Sequence, residues 1–165
     1  MSNPSIQPRY RIVLEKEDFK FSAAHFTLFP DGGAELLHGH NYRVRVELAG
    51  SSVDDEGLLV DIERFKKVLR GRCAHLDSRT LLPAASSRVE WRHEGDAIEI
   101  SCGARQYRFP ADDVLLLPLA NTSMELFARM LWEELAPALA GSRVETMAVS
   151  VEEAAGQRCW YERAL

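Results

Sequence analysis

Apolar and polar positions alternate most cleanly over HNYRVRVEL, residues 40–48. Tyr42, Val44, Val46 and Leu48 share one face of an extended strand, and by strict period two His40 joins them. Alternation at Phe19 and Phe21 gives residues 10–27 strand character, and residues 143–153 and 157–163 read as two more strands, joined at Ala154-Ala155-Gly156. Helical spacing appears twice. Ile62, Phe65 and Leu69 follow Asp61, a good N-cap, in a helix that should end near Gly71 or His75. Leu126, Phe127, Met130, Leu131 and Leu135 form the stripe of a second helix, behind the capping run Asn121-Thr122-Ser123 and closed near Pro137. Between the helices, residues 75–83 (HLDSRTLLP) read as loop. RVEWRH, AIEISC and RQYRF then read as short strands of an appended hairpin or small meander. Phe29-Pro30-Asp31-Gly32-Gly33 opens a turn-rich loop over residues 28–37. The order strand, strand, helix, insert, helix, strand, strand predicts an α+β domain, with an antiparallel sheet and two helices on one face.

Composition narrows the class. At 165 residues the chain reads as one domain, residues 1–165, with an insert at about 84–116. A net charge of -5 and no basic run argue against nucleic acid as a partner. No apolar stretch is long enough to cross a membrane, and the N-terminus lacks the apolar core of a signal peptide. Cys73, Cys102 and Cys159 are odd in number, far apart and form no CxxC pair, which fits free thiols in a reducing cytoplasm.

The chemistry-bearing stretch is His25 in FSAAHF, followed by Glu35-Leu36-Leu37-His38-Gly39-His40. Histidines at i and i+2 point to the same side of a strand. With a third imidazole from upstream they supply three nitrogen ligands and leave one position open, a common catalytic zinc shell. Ala23 and Ala24 would let another segment approach His25 closely. Two residues separate Glu35 from the pair, near enough to handle protons beside a metal.

FSAAH, LHGHNY, LLVDIERFK, HLDSR, TSMELFARMLW and VSVEEAAGQRCWY occur in that order, and together they resemble the 6-pyruvoyl and 6-carboxytetrahydropterin synthase family. The resemblance implies a tunnelling fold: a four-stranded antiparallel sheet with two helices on one face, here with a small inserted β-hairpin. It implies a homotrimer or homohexamer with active sites between subunits. It also implies Zn2+ held by His25, His38 and His40, and a small-molecule pterin substrate gripped by Glu125, whose carboxylate matches two parallel ring donors. Glu125 equally suits the first turn of a helix on dipole grounds. Catalytic roles fall on Glu153, otherwise an exposed strand residue, and on Asp77, the aspartate of an Asp-His pair.

Two departures matter. Residues 32–35 hold no cysteine where the family usually has one, and Ser78 stands where its relay histidine belongs, with His75 nearby. The ExxHGH pattern resembles a subgroup that converts 7,8-dihydroneopterin triphosphate to 6-hydroxymethyl-7,8-dihydropterin. The reading is therefore a cytoplasmic, zinc-dependent pterin-forming lyase with Glu35 as proton shuttle, a role best served by a raised pKa. The alternatives are a 6-carboxy- or 6-pyruvoyl-tetrahydropterin synthase, or a non-catalytic pterin- or purine-binding module.

Overall fold

A computed structural model describes residues 9–165. Residues 1–8, most of the stretch read for its lack of an apolar leader, lie outside them. In chain order the elements are β1 (Tyr10–Leu14), β2 (Lys20–His25), β3 (His38–Gly50), α1 (Ile62–Leu76), β4 (Arg79–Pro83), β5 (Glu90–Glu94), β6 (Ala97–Cys102), β7 (Arg105–Pro110), β8 (Val114–Leu117), α2 (Met124–Leu135), β9 (Thr146–Ala154) and β10 (Gln157–Ala164).

The large sheet runs β10-β9-β3-β2-β4-β8, with β1 also paired to β3. Its β10-β9-β3-β2 part is the antiparallel quartet expected from the sequence. The alternation on β3 holds along its length: Tyr42, Val44, Val46 and Leu48 are buried, and His38 and His40 begin the same face. Both helices pack on that face. α1 buries Phe65, Leu69, Cys73 and Leu76, and its N-cap Asp61 accepts a hydrogen bond from the Arg64 amide at 3.0 Å. α2 buries Phe127, Met130, Leu131 and Leu135 as expected, together with Trp132, whose indole N–H donates to the Met147 carbonyl at 2.7 Å. Leu126 is only half-buried.

Two differences from the sequence reading bear on the site. Residues 79–83, read as loop, form β4, which runs parallel to β2 through Ala23↔Arg79 and Ala24↔Thr80. Leu81 and Leu82 are buried without alternation, as expected for a strand covered on both faces, and that short run carries no period to read. β4 also pairs in parallel with β8, another short apolar run. Parallel neighbours need a long crossover, and the insert is that crossover. It carries the three short strands read from the sequence, as a meander rather than a single hairpin: β5, β6 and β7 form an antiparallel three-stranded sheet. One face of this sheet joins Phe26, Leu28 and Leu82 in a second apolar cluster, separate from the main core. The insert is thus fixed at both ends to the sheet edge beside β2.

The far end of β3 admits no side chain at Gly50. A Cβ there would lie 2.2 Å from the Arg143 carbonyl oxygen and 2.8 Å from Leu59 Cδ1. Backbone must therefore move to accommodate it, and Gly50→Ala should lower the unfolding free energy by about 1–3 kcal/mol, the usual cost of overpacking. Urea denaturation measures this; an unchanged midpoint contradicts the close approach.

Candidate functional site

Antiparallel pairing of β2 with β3 sets His25 opposite His38 and Ala23 opposite His40. All four side chains lie on the core face, and the alanine leaves room beside His40 for the imidazoles to converge. Ring centroids are 4.9 Å apart for His25–His38, 5.3 Å for His25–His40 and 4.7 Å for His38–His40. One ligating nitrogen from each ring lies within 4.8 Å of the other two.

The outer nitrogens of two rings are anchored. His25 Nδ1 lies 2.8 Å from the Thr122 carbonyl and His38 Nδ1 2.8 Å from the Leu36 carbonyl. A carbonyl only accepts, so both Nδ1 atoms carry the proton and both Nε2 atoms present lone pairs. Backbone anchoring of this kind is how ligating histidines are oriented. His25 is buried, and its Nε2 has no hydrogen-bond partner among the described residues. His38 Nε2 and His40 Nε2 are 2.9 Å apart, a contact that His40 can satisfy by donating a proton when no ion intervenes. Nitrogen ligands of a four-coordinate zinc lie roughly 3.4 Å apart, a spacing between the 2.9 Å of this pair and the 4.8 Å that bounds the three nitrogens. An orphaned buried acceptor and three converging imidazoles fit a divalent metal. Burial holds the pKa of His25 below its ordinary value, with repulsion from His38 and His40 acting in the same direction, which keeps the ligand neutral.

The loop between β2 and β3 brings Glu35 to the triad by folding back on itself. Leu28 bridges Ala34, the Glu35 amide donates to the Thr27 carbonyl at 2.9 Å, and the Phe29 amide donates to the Gly33 carbonyl at 2.9 Å. Gly32, at φ +92°, occupies the left-handed conformation that this reversal requires. On the returning limb, Glu35 Oε2 accepts from the Thr27 amide at 2.9 Å. Burial pushes the Glu35 carboxyl up, but that hydrogen bond and the nearby His38 and His25 outweigh it, and the pKa lies below the usual carboxylate value. The sequence reading favoured a raised pKa; it could not see the Thr27 amide.

The other proposed site residues are spread more widely. Glu153 on β9 is half-buried, with Oε2 4.0 Å from His40 Nε2. Glu125 is exposed in the first turn of α2, and its charge reaches Cys159 on β10, whose thiol pKa is raised by burial and by that carboxylate. Asp77 caps the end of α1, and its carboxylate accepts from the Ser22 amide at 2.7 Å and the Ser78 hydroxyl at 3.0 Å. His75 is exposed in the last turn of α1.

Three residues around the triad were read from the sequence only as helix caps or core, not as part of the site. Asn121 and Thr122 look like helix caps, but the N-cap is Ser123, which makes no side-chain cap bond. Asn121 instead pairs with the Leu28 backbone in both directions, at 2.9 and 3.0 Å, and the Thr122 hydroxyl donates to the Phe26 carbonyl at 2.7 Å. Tyr42 lies beside His40 with ring centroids 5.6 Å apart, and its buried hydroxyl has no hydrogen-bond partner among the described residues. Burial, then Glu153 and Glu35, push its pKa far up, which keeps the phenol neutral.

Comparison with known proteins bears on the family and the fold. The family model described as 6-pyruvoyl tetrahydropterin synthase matches residues 14–164. A Methanocaldococcus jannaschii protein provisionally named 6-carboxy-5,6,7,8-tetrahydropterin synthase is 30% identical over 149 residues, covering 88% of this chain and 91% of that protein. The structure of Plasmodium falciparum 6-pyruvoyl tetrahydropterin synthase is 27% identical and superposes with a TM-score of 0.88, covering 95% of this chain and 99% of that one. The Plasmodium vivax enzyme, 31% identical, gives a TM-score of 0.86 over 96% of this chain and 99% of that one. Variants of the latter at a catalytic residue, a glutamate replaced by alanine or cysteine, share the fold at a TM-score of 0.85.

If the triad is a metal centre, purified protein should carry close to one divalent ion per chain by elemental analysis, and His38→Ala should lose it. Full occupancy in a protein with His25, His38 and His40 all replaced contradicts the assignment.

Proposed function

The chain belongs to the 6-pyruvoyl tetrahydropterin synthase family of lyases, and on that premise we propose that it is a zinc-dependent enzyme converting 7,8-dihydroneopterin triphosphate to 6-hydroxymethyl-7,8-dihydropterin. The observation that carries this reading is Glu35. Its carboxylate is fixed by the Thr27 amide, close enough to His38 and His25 for their charges to lower its pKa, in a loop that holds no cysteine.

His25, His38 and His40 would hold the zinc, which supplies Lewis acidity toward side-chain oxygens of the substrate. Glu35, ionised near neutral pH, takes the proton from the C2′ hydroxyl. The C1′–C2′ bond breaks, its electron pair passes into the pterin ring, and C2′ becomes an aldehyde that leaves with the triphosphate. Glu35 returns the proton to C1′, leaving a hydroxymethyl group. No redox partner is needed, and the proton count closes on a single carboxylate.

Glu125, exposed and without a hydrogen-bonding partner among the described residues, is proposed to grip the pterin's ring N–H and 2-amino group. Glu153 is proposed to support proton movement from the His40 side, where it lies 4.0 Å from the ring nitrogen. For Asp77, the relay role implied by the resemblance requires release of one of its two hydrogen bonds. Assembly into trimers or hexamers fits the open β10 edge, since barrel closure pairs the strand groups it exposes.

A second reading, a 6-carboxytetrahydropterin synthase, is favoured by the name of the Methanocaldococcus jannaschii relative. Product identification separates the two. With dihydroneopterin triphosphate as substrate, the main product should be 6-hydroxymethyl-7,8-dihydropterin. Glu35→Gln should retain zinc and lower turnover by about 10²-fold or more, the usual worth of a general acid–base group. Glu35→Cys should shift products toward the pyruvoyl or carboxy form. Wild-type turnover in Glu35→Gln, or a wild type yielding only the carboxy product, defeats the reading. No turnover at all by the wild type would leave a binding module.

A further inference from the structure

The insert has no part in the chemistry above, yet two of its arginines end on the loop that carries Glu35. Arg88, just before β5, donates to three carbonyls of the turn: Phe29 at 2.7 Å, Gly33 at 2.9 Å, and Gly32. Arg105, the first residue of β7, donates to the carbonyl of Glu35 itself. The apolar side of the insert covers the same loop. Tyr107 stacks on Phe26 with ring centroids 6.1 Å apart, and Ala34 and Leu37 pack into the cluster around Ile98 and Ile100.

The loop needs such support. It contains Gly32 and Gly33, has no helix or long strand of its own, and reverses direction within a few residues. Its own backbone bonds tie its limbs to each other. Toward the rest of the molecule, Asn121 holds Leu28 at the outgoing limb. The turn and the returning limb are held from the insert. Glu35 then has its amide and carboxylate on Thr27 and its carbonyl on Arg105, so each polar group of the residue is fixed.

We propose that the insert is a clamp, with Arg88 and Arg105 as positioning residues that hold residues 28–37 so that Glu35 keeps its place near His25 and His38. The proposal rests on the reading of Glu35 as proton shuttle. It acts through geometry: a base displaced by about 1 Å can cost on the order of 10²-fold in rate. The two arginines differ in a way that can be measured. Arg105 makes one bond to one carbonyl, which an ammonium can also make. Arg88 uses two nitrogens of a planar fork on three carbonyls, which lysine cannot reproduce.

Amide hydrogen exchange and steady-state kinetics on the zinc-loaded protein test this, with Arg88→Ala, Arg105→Ala, both lysine variants and Glu35→Gln. Exchange in peptides covering residues 28–37 should quicken about tenfold or more in the alanine variants, while β3 and β9 stay protected and zinc content is unchanged. In the same variants kcat should fall about tenfold or more with KM within about threefold, because an ill-placed base weakens the transition state more than substrate binding. Arg105→Lys should recover much of the loss and Arg88→Lys little. Unchanged exchange in 28–37 overturns the clamp whatever the kinetics do, as does a fall in kcat that tracks loss of zinc. Wild-type turnover in Glu35→Gln defeats the reading of Glu35 instead, and the exchange data then decide whether the insert holds the loop.

Discussion

Three imidazole nitrogens directed at one another from adjacent strands are the constraint on which the site depends. Leaving a buried acceptor such as His25 Nε2 unpaired costs about 1–3 kcal/mol. The surrounding structure fixes that orientation by committing the opposite nitrogen to the Thr122 carbonyl. The arrangement also requires one strand register: His25 meets His38, and Ala23 leaves space at His40. A slip of one residue would turn His38 and His40 to the far face and Tyr42 and Val44 out of the core. Core packing and ligand geometry therefore specify the same pairing.

Everything near the triad serves to hold it from a different direction. The strand leaving His25 is bonded to Asn121 and Thr122 ahead of α2, so the helix that closes the core also orients the first imidazole. The chain returning to His38 passes Glu35, and the Leu36 carbonyl orients the second imidazole. Beyond β2 the sheet continues through β4 and β8, and the insert between them reaches back over the loop. The site is thus fixed by segments far apart in sequence, while the three histidines and Glu35 fall within His25–His40.

The parts of this that follow a period were legible in the sequence. β3, the two helices and the final strand pair announce themselves by alternation or helical spacing, and His38 and His40 inherit their common face from the strand. FSAAH with LHGHNY carried the triad and the family. What stayed hidden lacks a period or doubles as something else. TLLP and VLLL are too short to show alternation, and their strands exist because each covers the other's edge. Asn121 and Thr122 resemble helix caps, since the polar atoms that cap an amide serve equally well to pair with a neighbouring strand. The depressed pKa of Glu35 depends on an amide eight residues upstream, brought near only by the loop's reversal. No local pattern could join Arg88 or Arg105 to that loop, because both reach it across more than fifty residues.

On the proposed reading these three histidines, with no sulfur, hold a zinc ion and leave room for substrate oxygen. The cysteines agree with it: Cys73 and Cys102 are buried in the two apolar clusters, and Cys159 lies on β10 near Glu125. X-ray absorption at the zinc edge of the purified protein tests the claim most directly. Three imidazole nitrogens and one or two further oxygen ligands should appear at about 2.0–2.2 Å, with no scatterer near the 2.3 Å expected for thiolate. A sulfur in the first coordination shell, or fewer than three imidazoles, would contradict it.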